Sequence, residues 1–375
     1  MNSTRKLWVG LAALLMASFA VLLWVGSETY RQAPPMPEQV VTTDGKVVYT
    51  RQDIETGRQV WQSIGGQQLG SIWGHGGYVA PDWGADWLHR EAEAILDLWA
   101  AREHGVDSYK ALDAPTQAAY ATRVQALIRP NTWDAATGTI TIDADRAAAM
   151  EKVAAHYVDL FGNDPATAEL REAYAMRNNT VPDAEHRRLM TGFFWWAAWS
   201  SITERPGQTI TYTANWPHDE LVGNTPPSNL LIWSVFSVLF LIAGIGLLGW
   251  HYAVNHGDEM VPVMPKSDPL ADIKVTPSMR ATAKYFWVVM ALFLVQILLG
   301  AITAHYQVEG QEAYGFALAE ILPYSLTRTW HTQLAVLWIA TAWLGMGLYI
   351  APAISGHEPK FQRIGVNFLW ACLIV

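Results

Sequence analysis

The sequence predicts a mainly helical, polytopic membrane protein that carries one large acidic aqueous domain. Three observations support this. The 375 residues are 51% hydrophobic, include 19 Trp and hold only 16% charged residues, too apolar for an ordinary soluble protein. Five apolar segments stand out, Leu7 to Val25, Leu230 to Trp250, Tyr285 to Ala304, Trp330 to Ile354 and Ile364 to Val375, to be judged against the roughly 20 residues a helix needs to cross hydrocarbon. The charge is also segregated. Residues 26–228 hold 16 Lys and Arg against 26 Asp and Glu, a net of −10, whereas the remainder balances 9 against 8.

Taken in order, the first segment follows Arg5 and Lys6 and contains small residues in ASFA, as a signal peptide would. Its apolar run continues through VLLWVG, which is too long for a signal core, so residues 1–26 read as an uncleaved anchor. Basic residues cluster before the first helix, in the second-to-third loop (Lys266, Lys274, Arg280, Lys284) and before the fifth helix (Lys360, Arg363). The positive-inside rule places those three regions in the cytoplasm. Residues 27–228 and the loop from His305 to Thr329 then face outward, and His251, His256 and His357 fall in cytoplasmic loops as solvated residues. The final segment stops within FLWACLIV without a polar cap, so the chain is expected to be the N-terminal part of a longer protein whose membrane region, 229–375 here, continues.

The aqueous domain reads as mostly helical. Apolar residues recur at helical spacing over Ala85 to Glu103, Asp113 before Pro115 marks a capped helix start, and Asp143 opens a run through AAAMEKVAAHYVDLF. The stretch ITERPGQTITYTANWPHDELVGNTPP is extended, Pro-rich and aromatic, a loop expected at the membrane surface. No basic stripe is available to neutralise phosphates, which disfavours nucleic acid as a partner. The single cysteine, Cys372, lies in an apolar run, so no disulfide, Cys-based metal site or covalent c-type heme can form.

Redox chemistry would therefore rest on histidine. His331, in RTWHTQLAVLWIATAWLGMGLYIAP, sits one turn inside an apolar helix, where an ionisable side chain is costly and marks a functional position. A neutral imidazole there can ligate heme iron; the competing reading is an interfacial histidine bonded to a neighbouring helix. His305 and Glu309, in AITAHYQVEGQEAYGF, are four residues apart and share one helix face. An imidazole beside a carboxylate suits a quinol, which sheds protons as its electrons leave; the alternative is an interfacial pair without a ligand. No adjacent His-His pair occurs, so these residues cannot assemble a binuclear metal centre.

The segment around His331 resembles the helix of heme-copper oxidase catalytic subunits that supplies a low-spin heme ligand. WQSIGGQQLGSIWGHGGYVAPDW, from Trp61, resembles the heme-attachment segment of the cytochrome c subunit of nitric oxide reductases, with Gly66, Leu69 and Gly70 standing where the two cysteines and the histidine would be. Joined through ERPGQTITYTANWPHDELVGN, the two resemble the fused, quinol-dependent nitric oxide reductases of the heme-copper oxidase superfamily. The resemblance implies a heme-copper oxidase-type helical fold with an outer cytochrome c-like, heme-free domain. It also implies residence in the bacterial inner membrane, with residues 27–228 periplasmic. His331 would be the low-spin heme b ligand, and His305 with Glu309 the quinol pair. Gly76 and Tyr78 match positions that help hold a calcium ion in cytochrome c-dependent relatives. The high-spin heme b3 and non-heme iron would be held by residues past Val375. The implied partners are membrane quinol and nitric oxide, and the resemblance allows a homodimer. Two rival readings stand at this point: a quinol oxidase reducing O2 on the same scaffold, and a non-catalytic quinone-binding or scaffold subunit.

Overall fold

The computed structural model describes residues 2–255, 266 and 273–374; His256, with most of the loop that follows it, lies outside the described residues. The chain divides into two units, one of residues 1–64, 70–167 and 179–227, the other of residues 65–69, 168–178 and 228–375.

The first unit begins with α1 (Asn2–Arg31), whose apolar run Trp8–Arg31 is long enough to cross a membrane and is not buried against protein. Strands β1 (Gln39–Thr42) and β2 (Val47–Thr50) follow, then α2 (Arg51–Ser63), opened by a reciprocal cap between Thr50 and Asp53. The attachment-like loop contains the short helix α3 (Gly66–Leu69), which belongs to the second unit, and the two-residue strands β3 (Ser71–Ile72) and β4 (His75–Gly76). Next comes α4 (Trp83–His104), started by the Asp82 side chain and stopped by left-handed Gly105. Helices α5 (Ala114–Ile128) and α6 (Ala144–Leu160) start at Asp113 and Asp143, as their sequences predict, each aspartate accepting a backbone N–H of the first turn.

The sequence does not announce the small sheet within this mostly helical domain. Strands β5 (Trp133–Asp134) and β6 (Thr139–Ile142) form a hairpin that joins β1 and β2 in the order β2-β1-β6-β5, with β1 and β6 parallel. Strands of two to four residues carry too little alternation to be read from sequence, and the β1–β6 pairing links segments 100 residues apart. After α7 (Ala168–Ala173), which belongs to the second unit, α8 (Ala184–Ile202) runs through the centre of the first, with every residue from Met190 to Ile202 buried. Around it Trp83 stacks on Phe194 at 5.6 Å and Trp87 on Tyr157 at 5.4 Å. Truncating an indole of this kind costs about 3–5 kcal/mol. Within this core Arg146 Nε donates to Glu91 Oε1 at 2.6 Å, with side chains only 6% and 2% exposed.

The second unit contains α3, α7, α9 (Ser228–Asn255), α10 (Pro277–Ala281), α11 (Ala283–Glu309), α12 (Tyr324–Ser355) and α13 (Gln362–Ile374). Together with α1, the helices Ser228–Asn255, Pro277–Glu309 and Tyr324–Ser355 are long and apolar enough to cross a membrane. The fifth apolar segment is helical over the 13 residues of α13. Helices α11 and α12 pack along their length, and Tyr285 on α11 donates its hydroxyl to the Val366 carbonyl of α13 at 2.6 Å. α9 keeps no residue buried.

Candidate functional site

Histidine 331 lies in the third turn of α12 and faces α11. Its Nδ1 meets the backbone carbonyl of Gln296 at 2.9 Å. A carbonyl can only accept, so Nδ1 carries a proton, and in the neutral tautomer that this bond selects Nε2 keeps its lone pair. Two features of α11 create this arrangement. Gly300 stands where a Cβ would come within 2.7 Å of the imidazole Cε1 and 2.8 Å of Nδ1, so only glycine leaves the ring its place. The Gln296 side chain also accepts the Trp338 indole N–H at 2.8 Å, which fastens the same stretch of α11 to α12. An imidazole oriented by a carbonyl, with the opposite nitrogen lacking a partner among the described residues, is the kind of donor a heme iron takes. The residues present therefore fit the group. Position alone singles out His331; Gln296 and Gly300 escape sequence reasoning because their role depends on which face of α11 meets α12.

One turn before His331, Arg328 donates to Gln68 Oε1 at 2.8 Å, and Gly65 lies against Ser325. Helix α3, cut from the attachment-like loop, thus packs on the N-terminal turns of α12. Farther along that loop, packing also opposes heme attachment. A Cβ on Gly70 would lie 2.4 Å from the Pro81 carbonyl and 2.6 Å from the Trp83 indole nitrogen, so no histidine fits there. Asp82 closes the turn, accepting from Ser71 Oγ at 2.7 Å and the Gly74 N–H at 2.9 Å with one oxygen, and from the Gly84 and Ala85 N–H groups with the other. Burial raises the Asp82 carboxyl above its usual range, and these four bonds oppose the shift. Gly76 lies on β4, and Tyr78 is exposed with its hydroxyl donating to the Gly74 carbonyl at 3.3 Å. These two groups offer neutral oxygens only, and a calcium ion needs about six to eight oxygens including carboxylates.

His305 and Glu309 share one face of the last turns of α11, with Nδ1 and Oε2 2.8 Å apart and both side chains about half exposed. Spacing predicts the pair but not its surroundings. Tyr314 sets its ring edge against His305 at 6.2 Å and against Tyr306 at 5.7 Å, and its hydroxyl is buried without a partner among the described residues. Burial, followed by the charge of Glu309, raises the Tyr314 phenol above its usual range. Gln311 donates to Glu172 and accepts the Ala319 N–H at 3.0 Å, while the other Glu172 oxygen has no partner among the described residues. Asn178 donates twice to Glu320 at 2.9 Å, and the Tyr324 N–H reaches the Ala175 carbonyl. Residues 168–178 thereby hold the segment from Gly310 to Tyr324 beside the pair. Among the described residues no group of three or more His, Cys, Asp or Glu is placed to hold a metal ion.

Comparison with known proteins gives two family matches along the chain. Residues 37–218 match the cytochrome c-like domain of the NorB chain of nitric oxide reductase, and residues 280–375 match the family of cytochrome c and quinol oxidase polypeptide I. The corresponding NorB chain of the Stutzerimonas stutzeri nitric oxide reductase is 29% identical over 92 residues, which cover 24% of this chain and 18% of that protein. The aligned part is thus a small fraction of the relative's length. With the four long apolar helices, the oxidase match makes the chain a multi-pass membrane protein. Two family matches, in the order the sequence motifs require, support a nitric oxide reductase-like protein of the heme-copper oxidase superfamily.

Proposed function

We propose that the chain belongs to a quinol-oxidising nitric oxide reductase of the bacterial inner membrane, with residues 27–228 in the periplasm. One observation carries the reading: a domain of the reductase's cytochrome c type has Gly66, Leu69 and Gly70 where heme attachment needs two cysteines and a histidine. Electrons then need an entry other than a covalent heme, and His305 with Glu309 on α11 is the pair whose chemistry suits a quinol. His305 would take a hydroxyl proton while Glu309, 2.8 Å away, steadies the imidazolium. His331, through Nε2, would hold a low-spin heme b, a group that supplies one-electron transfer when bound. The overall reaction would join two NO with two electrons and two protons to give N2O and water, chemistry that the heme b3 and non-heme iron implied by the resemblance would supply when bound. A homodimeric assembly is compatible with this reading, whereas Gly76 and Tyr78 by themselves lack the carboxylate that a calcium ion needs.

The match over residues 280–375 to a family whose description includes quinol oxidases favours one second reading, reduction of O2 on the same scaffold. The full-length protein in membranes, supplied with a reduced quinol analogue and monitored by NO and O2 electrodes, separates the two. Quinol-driven NO consumption is expected. His305→Ala should lower it on the order of 100-fold, the usual worth of a general base, while turnover with an artificial small-molecule reductant persists. Faster consumption of O2 than of NO would favour the oxidase. Equal rates from a soluble cytochrome and from quinol would overturn the quinol reading.

A further inference from the structure

At the end of α1 the first unit holds a cavity of about 330 Å³, lined among others by Arg31, Gln32, Trp133, Arg205, Gln208 and Tyr212. Its chemistry is unlike the rest of this acidic domain. Arg205 donates one terminal nitrogen to Gln32 Oε1 and the other to the Tyr212 carbonyl at 2.8 Å, both neutral acceptors. Its Nε is buried without an acceptor among the described residues, and so is the Trp133 indole N–H. No carboxylate lies within ion-pair distance of Arg205 among the described residues. The adjacent Glu204 is turned to Arg129 at 3.2 Å, and Glu28 accepts from Arg31 at 2.7 Å and from Gln32 Nε2 at 3.0 Å. Burial pushes the Arg205 guanidinium below its ordinary range.

A half-buried guanidinium without a counter-charge, beside an orphaned indole donor, is costly unless an acceptor enters. We infer that this cavity binds the phosphate of an anionic phospholipid headgroup, with Arg205 as its principal ligand and Trp133 as a second donor. Guanidinium is the side chain suited to planar or tetrahedral oxyanions. Location selects the lipid over a free anion. The cavity begins at the last residue of the apolar run Trp8–Arg31, where headgroups lie, and Trp133 and Tyr212 are the amphipathic rings that favour that depth.

Full-length protein extracted in mild detergent and weighed by native mass spectrometry tests this directly. Added phosphatidylglycerol should be retained at one molecule per chain, in preference to phosphatidylcholine. Arg205→Gln should weaken retention by about tenfold or more, as loss of a charged hydrogen bond does, and Trp133→Phe, which keeps the aromatic packing, a few-fold. Thermal stabilisation by the lipid should fall in parallel. Should Arg205→Gln fail to fold, Trp133→Phe and the headgroup preference of the unmodified protein still decide the matter. Unchanged retention in the variants, absence of headgroup preference, or equal stabilisation by inorganic phosphate alone would overturn the assignment to a phospholipid.

Discussion

The Nδ1 of His331 donates to the carbonyl of Gln296 at 2.9 Å, so one nitrogen of the ring is committed to α11 and the other has no partner among the described residues. The acceptor is backbone, which no side-chain substitution at Gln296 removes. Sensitivity lies at Gly300, where an added Cβ would stand 2.7 Å from the ring. Gly300→Ala is expected to turn the imidazole and diminish the low-spin b-heme absorption almost as fully as His331→Ala, without loss of helical content. Optical spectra and heme quantitation of the purified variants check this. An intact low-spin signal in His331→Ala would remove the residue from the ligand role.

The pair Glu91–Arg146 is a buried ion pair of the first unit, and Trp87 Nε1 donates to the second carboxylate oxygen at 2.8 Å. Removing one member leaves the other charged in a core walled by indoles. Glu91→Gln or Arg146→Met is expected to destabilise by about 3–5 kcal/mol. Replacing both by apolar residues of similar volume should recover most of that loss. Denaturant unfolding of the full-length protein in detergent, followed by Trp fluorescence, distinguishes the single from the double substitutions.

His89 and Asp219 join α4 to the loop that follows α8, with Nδ1 and Oδ2 2.9 Å apart. Glu93 on the same helix faces His89 at 3.5 Å, and Lys110 is turned to Glu93. The hydrogen bond to Asp219 raises the histidine above its ordinary range. Asp219 lies below the usual carboxylate range: burial acts to raise it, but its bond to His89 and the charge of that ring outweigh burial. The raised histidine contributes stability that is complete below its unfolded pKa, near about 6.5, and is lost as pH rises through its folded value. The lowered aspartate contributes above its unfolded pKa, near about 3.9, and loses that contribution as pH falls through its folded value. Melting temperature should therefore decline from weakly acid toward alkaline pH, with the decline reduced in His89→Gln. Because His89 is half exposed, the effect should stay within about 1 kcal/mol.

Much of this molecule can be read along the chain, because its determinants are local. Run length and apolarity mark the long apolar helices, Asp113 and Asp143 announce the helices they cap, and four-residue spacing puts His305 and Glu309 on one face whatever surrounds them. The lone Cys372 and the glycines of the attachment-like loop exclude a covalent heme by covalent chemistry alone. Features that depend on contact between distant segments are not legible in this way. The parallel pairing of β1 with β6 joins residues 100 positions apart, and α8, whose last 13 residues are all buried, resembles a membrane segment in composition yet forms the core of the first unit. The free nitrogen of His331 was decided by Gln296 and Gly300 across a helix pair, and the unpaired charge of Arg205 by where Glu28 and Glu204 turn. Sequence determined which groups are present and on which helix faces they ride; only packing decided which partners satisfy them, since a hydrogen bond or an ion pair depends on ångström-scale distances that chain order does not encode.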